Sequence, residues 1–206
     1  MIIQYPASGF PGRVDHALFL AGLCVYTLGQ VLINAQFSTR FADLPIDLSH
    51  WALILGVVLL LPFAGALPWR NVFLLAKPLL MAGIAFAVGM CVLDFVFWSL
   101  PGYGEMEAQL ATHLINTPVI WEPFMRWGSN EVFNAGLALP SLAYFRASRT
   151  GTALVLIGTL VIAIGTQWFN VIGYGVLTLG YVLNFRGAFR APVDASPALA
   201  MPDRRD

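Results

Sequence analysis

Six stretches of mostly apolar residues alternate along the chain with shorter polar segments. Crossing the roughly 30 Å hydrocarbon core of a bilayer takes about 20 apolar helical residues, with a usual range of about 17–25. The pattern therefore predicts an all-α, polytopic transmembrane helical bundle. Its six spans cover residues 17–37, 50–67, 77–98, 129–146, 152–167 and 170–186, and a loop over residues 99–128 joins the third span to the fourth.

Lysines and arginines indicate how this bundle lies in the membrane. If the N-terminus is cytoplasmic, only Arg40 and Arg126 fall on the outer side. The cytoplasmic set is Arg13, Arg70, Lys77, Arg146, Arg149, Arg186, Arg190, Arg204 and Arg205. Such an excess is typical of cytoplasmic loops, so we expect both termini in the cytoplasm. One long bent helix over the last two spans is the alternative, but it would move the final four arginines outside.

Composition narrows the class of protein. Apolar residues make up 58% of the chain and charged residues 11%, with a formal net charge of zero. Soluble proteins carry about 25% charged residues, and a neutral chain has no field that attracts phosphate backbones. These values exclude a soluble enzyme and a nucleic-acid partner. We expect an integral protein of the bacterial inner (plasma) membrane, with residues 191–206 forming a disordered, proline-rich cytoplasmic tail.

The long outer loop contains a short amphipathic pattern. Met106, Leu110 and Leu114 recur at helical spacing between residues 105 and 115, and polar residues occupy the positions between them. This spacing favours a helix that lies on the outer membrane surface.

Polar side chains within the predicted spans cluster toward one end of the bundle. Charged groups at the centre of a membrane cost about 2.5–3.5 kcal/mol on insertion scales, so such positions are informative. With the orientation above, the polar positions fall in the outer halves of the spans, and the inner halves are nearly all apolar. We therefore predict a polar pocket open to the outside. Its candidate ligand-binding residues are Gln30, Asn34, His50, Asp94, Glu131 and Asn134.

Asp94 is the strongest of these candidates. It lies four residues before Trp98, near the C-terminal end of its span, where the helix dipole disfavours a negative charge. It shares a helical stripe with Gly83 and Ala87, and small residues in a span favour close packing against another helix. Because His50 and Glu131 are predicted to enter the membrane at the same outer level, the three could form one proton-sharing cluster.

Sequence motifs for catalysis or cofactor binding are missing. The chain has no His-x-x-x-His or Cys-x-x-Cys pair, and Cys24 and Cys91 fall inside apolar runs. We therefore expect no metal and no cofactor, and no catalytic residue is assigned.

Three functions remain open at this point. The first is binding or transport of a small solute, ion or lipid. The second is a role as a small accessory subunit, with protein partners in the membrane as well as the lipid bilayer. The third is a membrane enzyme that uses Asp94 and Glu131 on a lipid-like substrate.

Overall fold

The computed structural model describes residues 10–35, 48–99, 104–166 and 168–190. These residues form an all-helical bundle, and none of them lies in a strand. The α-helices are α1 (Arg13–Asn34), α2 (Leu48–Val58), α3 (Leu61–Ala66), α4 (Phe73–Trp98), α5 (Glu105–Ile115), α6 (Pro118–Trp121), α7 (Phe133–Ser141), α8 (Arg149–Ile164) and α9 (Trp168–Arg190). The predicted tail, residues 191–206, lies outside the described residues.

Four helical segments are long and apolar enough to cross a membrane. They are Arg13–Asn34, Leu48–Ala66, Phe73–Phe97 and Trp168–Arg190. The other two predicted spans correspond to shorter helices: α8 has 16 residues and α7 has 9. The class of fold is therefore the predicted one, and the number of spans stays a prediction.

Helix α1 begins at Arg13, four residues before the predicted start, and it includes the polar residues Asp15 and His16. The backbone N–H of Gly12 donates to Asp15 Oδ2 at 2.7 Å, which caps the first turn. His16 is buried rather than interfacial. Helix α4 also begins before its predicted start at residue 77. It starts at Phe73, so Pro78 lies inside the helix. Lys77 instead donates to the backbone oxygens of Gly65 and Leu67, at 2.7 and 2.9 Å, at the end of α3.

Glycines set the spacing between neighbouring helices at two interfaces. An added Cβ at Gly22 or Gly56 would lie 2.6 Å from backbone atoms of the facing helix, so α1 and α2 pack at close range. Gly158 of α8 meets Gly173 of α9 in the same way. The last apolar stretch is thus a pair of packed helices, as predicted, with bounds of 149–164 and 168–190.

The structure differs from the predicted loop over residues 99–128, because its last part belongs to a helical segment from Pro118 to Tyr144. It is helical almost throughout, with two π-helical turns at Glu122–Arg126 and Gly128–Val132, and it runs antiparallel to α4. Pro123 cannot donate a backbone hydrogen bond, which favours such irregular turns. At Gly128 a Cβ would lie 1.9 Å from the oxygen of Pro123 and 2.6 Å from the Phe86 ring. Only glycine fits at position 128. The segment contacts α4 well before residue 129, since the Trp121 ring lies 6.4 Å from that of Phe97.

One end of the bundle carries arginines and the other carries the His50–Asp94 pair, with a layer of buried aromatic rings between them. Phe19, Phe63, Tyr181 and Phe185 are fully buried and stack with ring centroids 4.3–5.7 Å apart. Arginines begin α1 and α8 and end α9 on one side of this layer. His50 and Asp94 lie on the other side, near the end of α1.

Candidate functional site

Two of the predicted site residues, His50 and Asp94, make a side-chain contact between two helices. His50 lies in the first turn of α2 and Asp94 lies one turn before the end of α4. His50 Nε2 is 2.9 Å from Asp94 Oδ2, which is the distance of a charge-assisted hydrogen bond. The His50 side chain is 6% exposed and that of Asp94 is 23% exposed. The carboxylate therefore has a buried partner on one side and remains partly accessible on the other.

Aromatic rings pack beside His50. The His50 ring lies 5.8 Å from that of Phe95, and the ring of Trp51 lies 5.4 Å from that of Phe95. The low exposure of His50 lowers the local dielectric, which strengthens the interaction between the two partners.

Asn134 and Gln30 belong to a second polar group nearer the middle of the bundle. The hydroxyl of Tyr174 donates to Asn134 Oδ1 at 3.0 Å, which joins α9 to α7. Tyr26 packs edge-on against the Tyr174 ring with centroids 4.8 Å apart, and its hydroxyl interacts with Tyr174 and with Gln30. Both tyrosines are buried. The sequence pattern did not reveal either tyrosine, because a tyrosine within an apolar stretch gives no signal that distinguishes it from a core residue.

Asn34 has a local role. Its Nδ2 donates to the backbone oxygen of Gln30 at 2.7 Å, one turn earlier in the same helix. Among the described residues, Asn34 has no hydrogen bond to another helix, and its side chain is half-buried at the same end of the bundle as His50.

Glu131 does not join the proposed three-residue cluster. It is exposed, and it lies between Gly128, which packs on Phe86, and Phe133, which packs on Gly83. Asp94 lies eight residues beyond Phe86 along α4, or about 12 Å at 1.5 Å per residue. The cluster hypothesis was wrong for Glu131, because the sequence pattern hid the early start of the Pro118–Tyr144 segment.

A large cavity lies at the opposite end of the bundle from His50. Its volume is about 970 Å³, and its walls come from the start of α1, the residues before and after Ser148, and the last turns of α9. Arg149, Arg186 and Arg190 line it, and so do His16 and Asn184. The sequence contains a signal for this cavity, since Arg149, Arg186 and Arg190 are all among the cations predicted on the cytoplasmic side.

Because the comparisons with known proteins found no match, the class of protein follows from the fold alone. No family model, curated protein or solved structure matches this chain. Among the described residues, no group of three or more His, Cys, Asp and Glu side chains is placed to hold a metal ion. A helical bundle with four helices long and apolar enough to span a bilayer indicates an integral membrane protein.

Proposed function

We propose that this membrane protein binds a small cationic solute or ion at the end of the bundle where His50 meets Asp94. The observation that carries the proposal is the 2.9 Å contact between His50 Nε2 and Asp94 Oδ2, with the carboxylate still 23% exposed. A carboxylate placed within a span is costly, and such groups mark ion or substrate sites more often than simple packing. The accessible side of Asp94 supplies the negative charge that a cation requires.

Binding is a better description than open transport for the arrangement in hand. The aromatic layer of Phe19, Phe63, Tyr181 and Phe185 separates the His50 end from the arginine-lined cavity, and each of these side chains is fully buried. We favour binding over the enzyme alternative, because that alternative requires Asp94 and Glu131 to act together and the register of α4 places them at different levels.

Substituting Asp94 tests the proposal directly. We expect Asp94→Asn to fold and express normally, since the amide has the same shape, and to lose cation binding. Thermal unfolding in nanodiscs would be followed with sodium, potassium, ammonium and ethanolamine, against N-methylglucamine at the same ionic strength. At least one of these cations should raise the midpoint of the wild type and leave Asp94→Asn unchanged.

Glu131→Gln is the matched control, because it also removes one carboxylate but lies away from the pair. It should respond to the cations as the wild type does. An equal response in Asp94→Asn and Glu131→Gln, or no response in any protein, would contradict cation binding at Asp94.

We propose further that the bundle has six spans and lies in a bacterial inner membrane with both termini in the cytoplasm. This is supported by the described cations at helix ends, where Arg13, Arg149 and Arg190 share one end of the bundle. That end should face the cytoplasm, where basic residues are retained.

Reporter fusions test this orientation. Alkaline phosphatase joined after Arg190 should be inactive, because the enzyme folds only outside the cytoplasm, whereas a fusion after Asn116 should be active. The reverse pattern would invert the bundle and place the His50 end in the cytoplasm.

A further inference from the structure

The cavity at the arginine-rich end has the chemistry of an anion site. Three arginines, Arg149, Arg186 and Arg190, line its walls, and no aspartate or glutamate is among its described lining residues. The nearest carboxylate on α1, that of Asp15, accepts a hydrogen bond from the backbone of Gly12. The cavity therefore holds an excess of positive charge that no described acidic side chain inside it neutralises.

A helix N-terminus adds donors to the same cavity. Helix α8 begins at Arg149, and its first-turn N–H groups have no acceptor within the helix. Ser148 Oγ satisfies that of Gly151 at 3.1 Å, whereas Arg149 and Thr150 lie in the cavity wall. The positive end of the helix dipole favours an anion at this point.

Asn184 is the independent observation that indicates a ligand. Its side chain lines the cavity, the residue is only 5% exposed, and neither Nδ2 nor Oδ1 has a hydrogen-bond partner among the described residues. More than about 90% of buried polar groups in proteins are paired. The amide lies against the first turn of α8, since a Cβ at Gly151 would be 2.2 Å from Asn184 Oδ1. A buried amide without a hydrogen-bond partner among the described residues, beside three arginines and the first turn of a helix, is suited to donate to an oxyanion.

We propose that this cavity binds a phosphate group. Arginine guanidinium groups recognise phosphate through paired N–H donors, and a phosphate offers enough oxygens to accept from several arginines, the helix terminus and Asn184 together. The volume of about 970 Å³ exceeds that of the bare ion and accommodates the molecule that carries it. That molecule is either an anionic phospholipid, whose headgroup would enter from the adjoining membrane surface, or a small soluble phosphate ester.

The test measures phosphate binding by the full chain in a neutral detergent at constant ionic strength. The probes are inorganic phosphate, glycerol 3-phosphate and phosphatidic acid, with chloride and phosphatidylcholine as references. We expect at least one phosphate probe to bind, and Arg149→Gln/Arg186→Gln to weaken it at least tenfold. Arg126→Gln, which removes an arginine outside the cavity, should bind like the wild type.

Asn184→Leu separates binding from folding. Because the amide is unpaired, its replacement by a side chain of similar volume should leave the ligand-free midpoint unchanged or higher, while phosphate affinity falls at least tenfold. Binding of phosphatidic acid alone would assign the site to a lipid headgroup, and binding of glycerol 3-phosphate would assign it to a soluble ester. Wild-type affinity in both cavity variants, or no binding of any phosphate probe, would overturn the proposal.

Discussion

The free energy of unfolding of Gly158→Ala should be about 1–3 kcal/mol lower than that of Gly175→Ala, because overpacking a tight interface costs about that much. The new methyl group at position 158 would lie 2.6 Å from the backbone oxygen of Gly173 and 2.7 Å from the backbone nitrogen of Leu177. Backbone atoms cannot rotate away, so α8 and α9 would have to separate. Titration with a denaturing detergent, followed by tryptophan fluorescence, measures the difference.

Gly175→Ala is the control for helix propensity. Gly175 is in α9, and a Cβ there would meet nothing within 4 Å. Alanine should be neutral there or stabilising by up to about 1 kcal/mol. Equal stability of the two variants would show that the glycine contacts between α8 and α9 do not set the helix spacing.

His50→Leu should destabilise the bundle by about 1–3 kcal/mol, the usual cost of leaving a buried partner unpaired. The substitution removes the imidazole that lies 2.9 Å from the Asp94 carboxylate and leaves that charge between α2 and α4. Because Asp94 keeps partial access to solvent, we expect a cost within this range rather than the larger cost of a fully buried charge.

The double variant His50→Leu/Asp94→Asn isolates the pair. Any other contact of His50 is lost in both proteins, so the difference between them reports the unpaired carboxylate. We expect the double variant to recover a large part of the lost stability, because no charge remains. If both variants have the same free energy of unfolding, the two side chains do not stabilise each other.

Local patterns predicted the helices better than their ends. Helical spacing of Met106, Leu110 and Leu114 predicts the helix that the structure places at Glu105–Ile115. The helix starts differ from the predicted ones at positions where polar or proline residues lie within the first turns. Pro78 lies inside α4, and Asp15 and His16 lie inside α1.

The candidate site was predictable in part. A carboxylate in a span is costly, which singled out Asp94. His50 was predicted to enter the membrane at the same outer level, and the structure shows the two side chains in contact. The prediction that Glu131 joins this cluster was wrong, because its position depends on how far the Pro118–Tyr144 segment follows α4. That length is set by packing at Gly128 and Gly83, which no periodicity reveals.

The sequence by itself determined that this chain forms apolar helices compatible with a bilayer, because hydrophobicity and length are local properties. It also determined that cations collect at one end of those helices. Only the tertiary structure decided which side chains meet. Asn184 lies in an apolar stretch of the sequence, yet the packing of α8 against α9 buries it in the wall of the arginine-lined cavity, without a hydrogen-bond partner among the described residues. Such a site depends on the relative register of several helices, and register is decided by contacts between residues far apart in the chain.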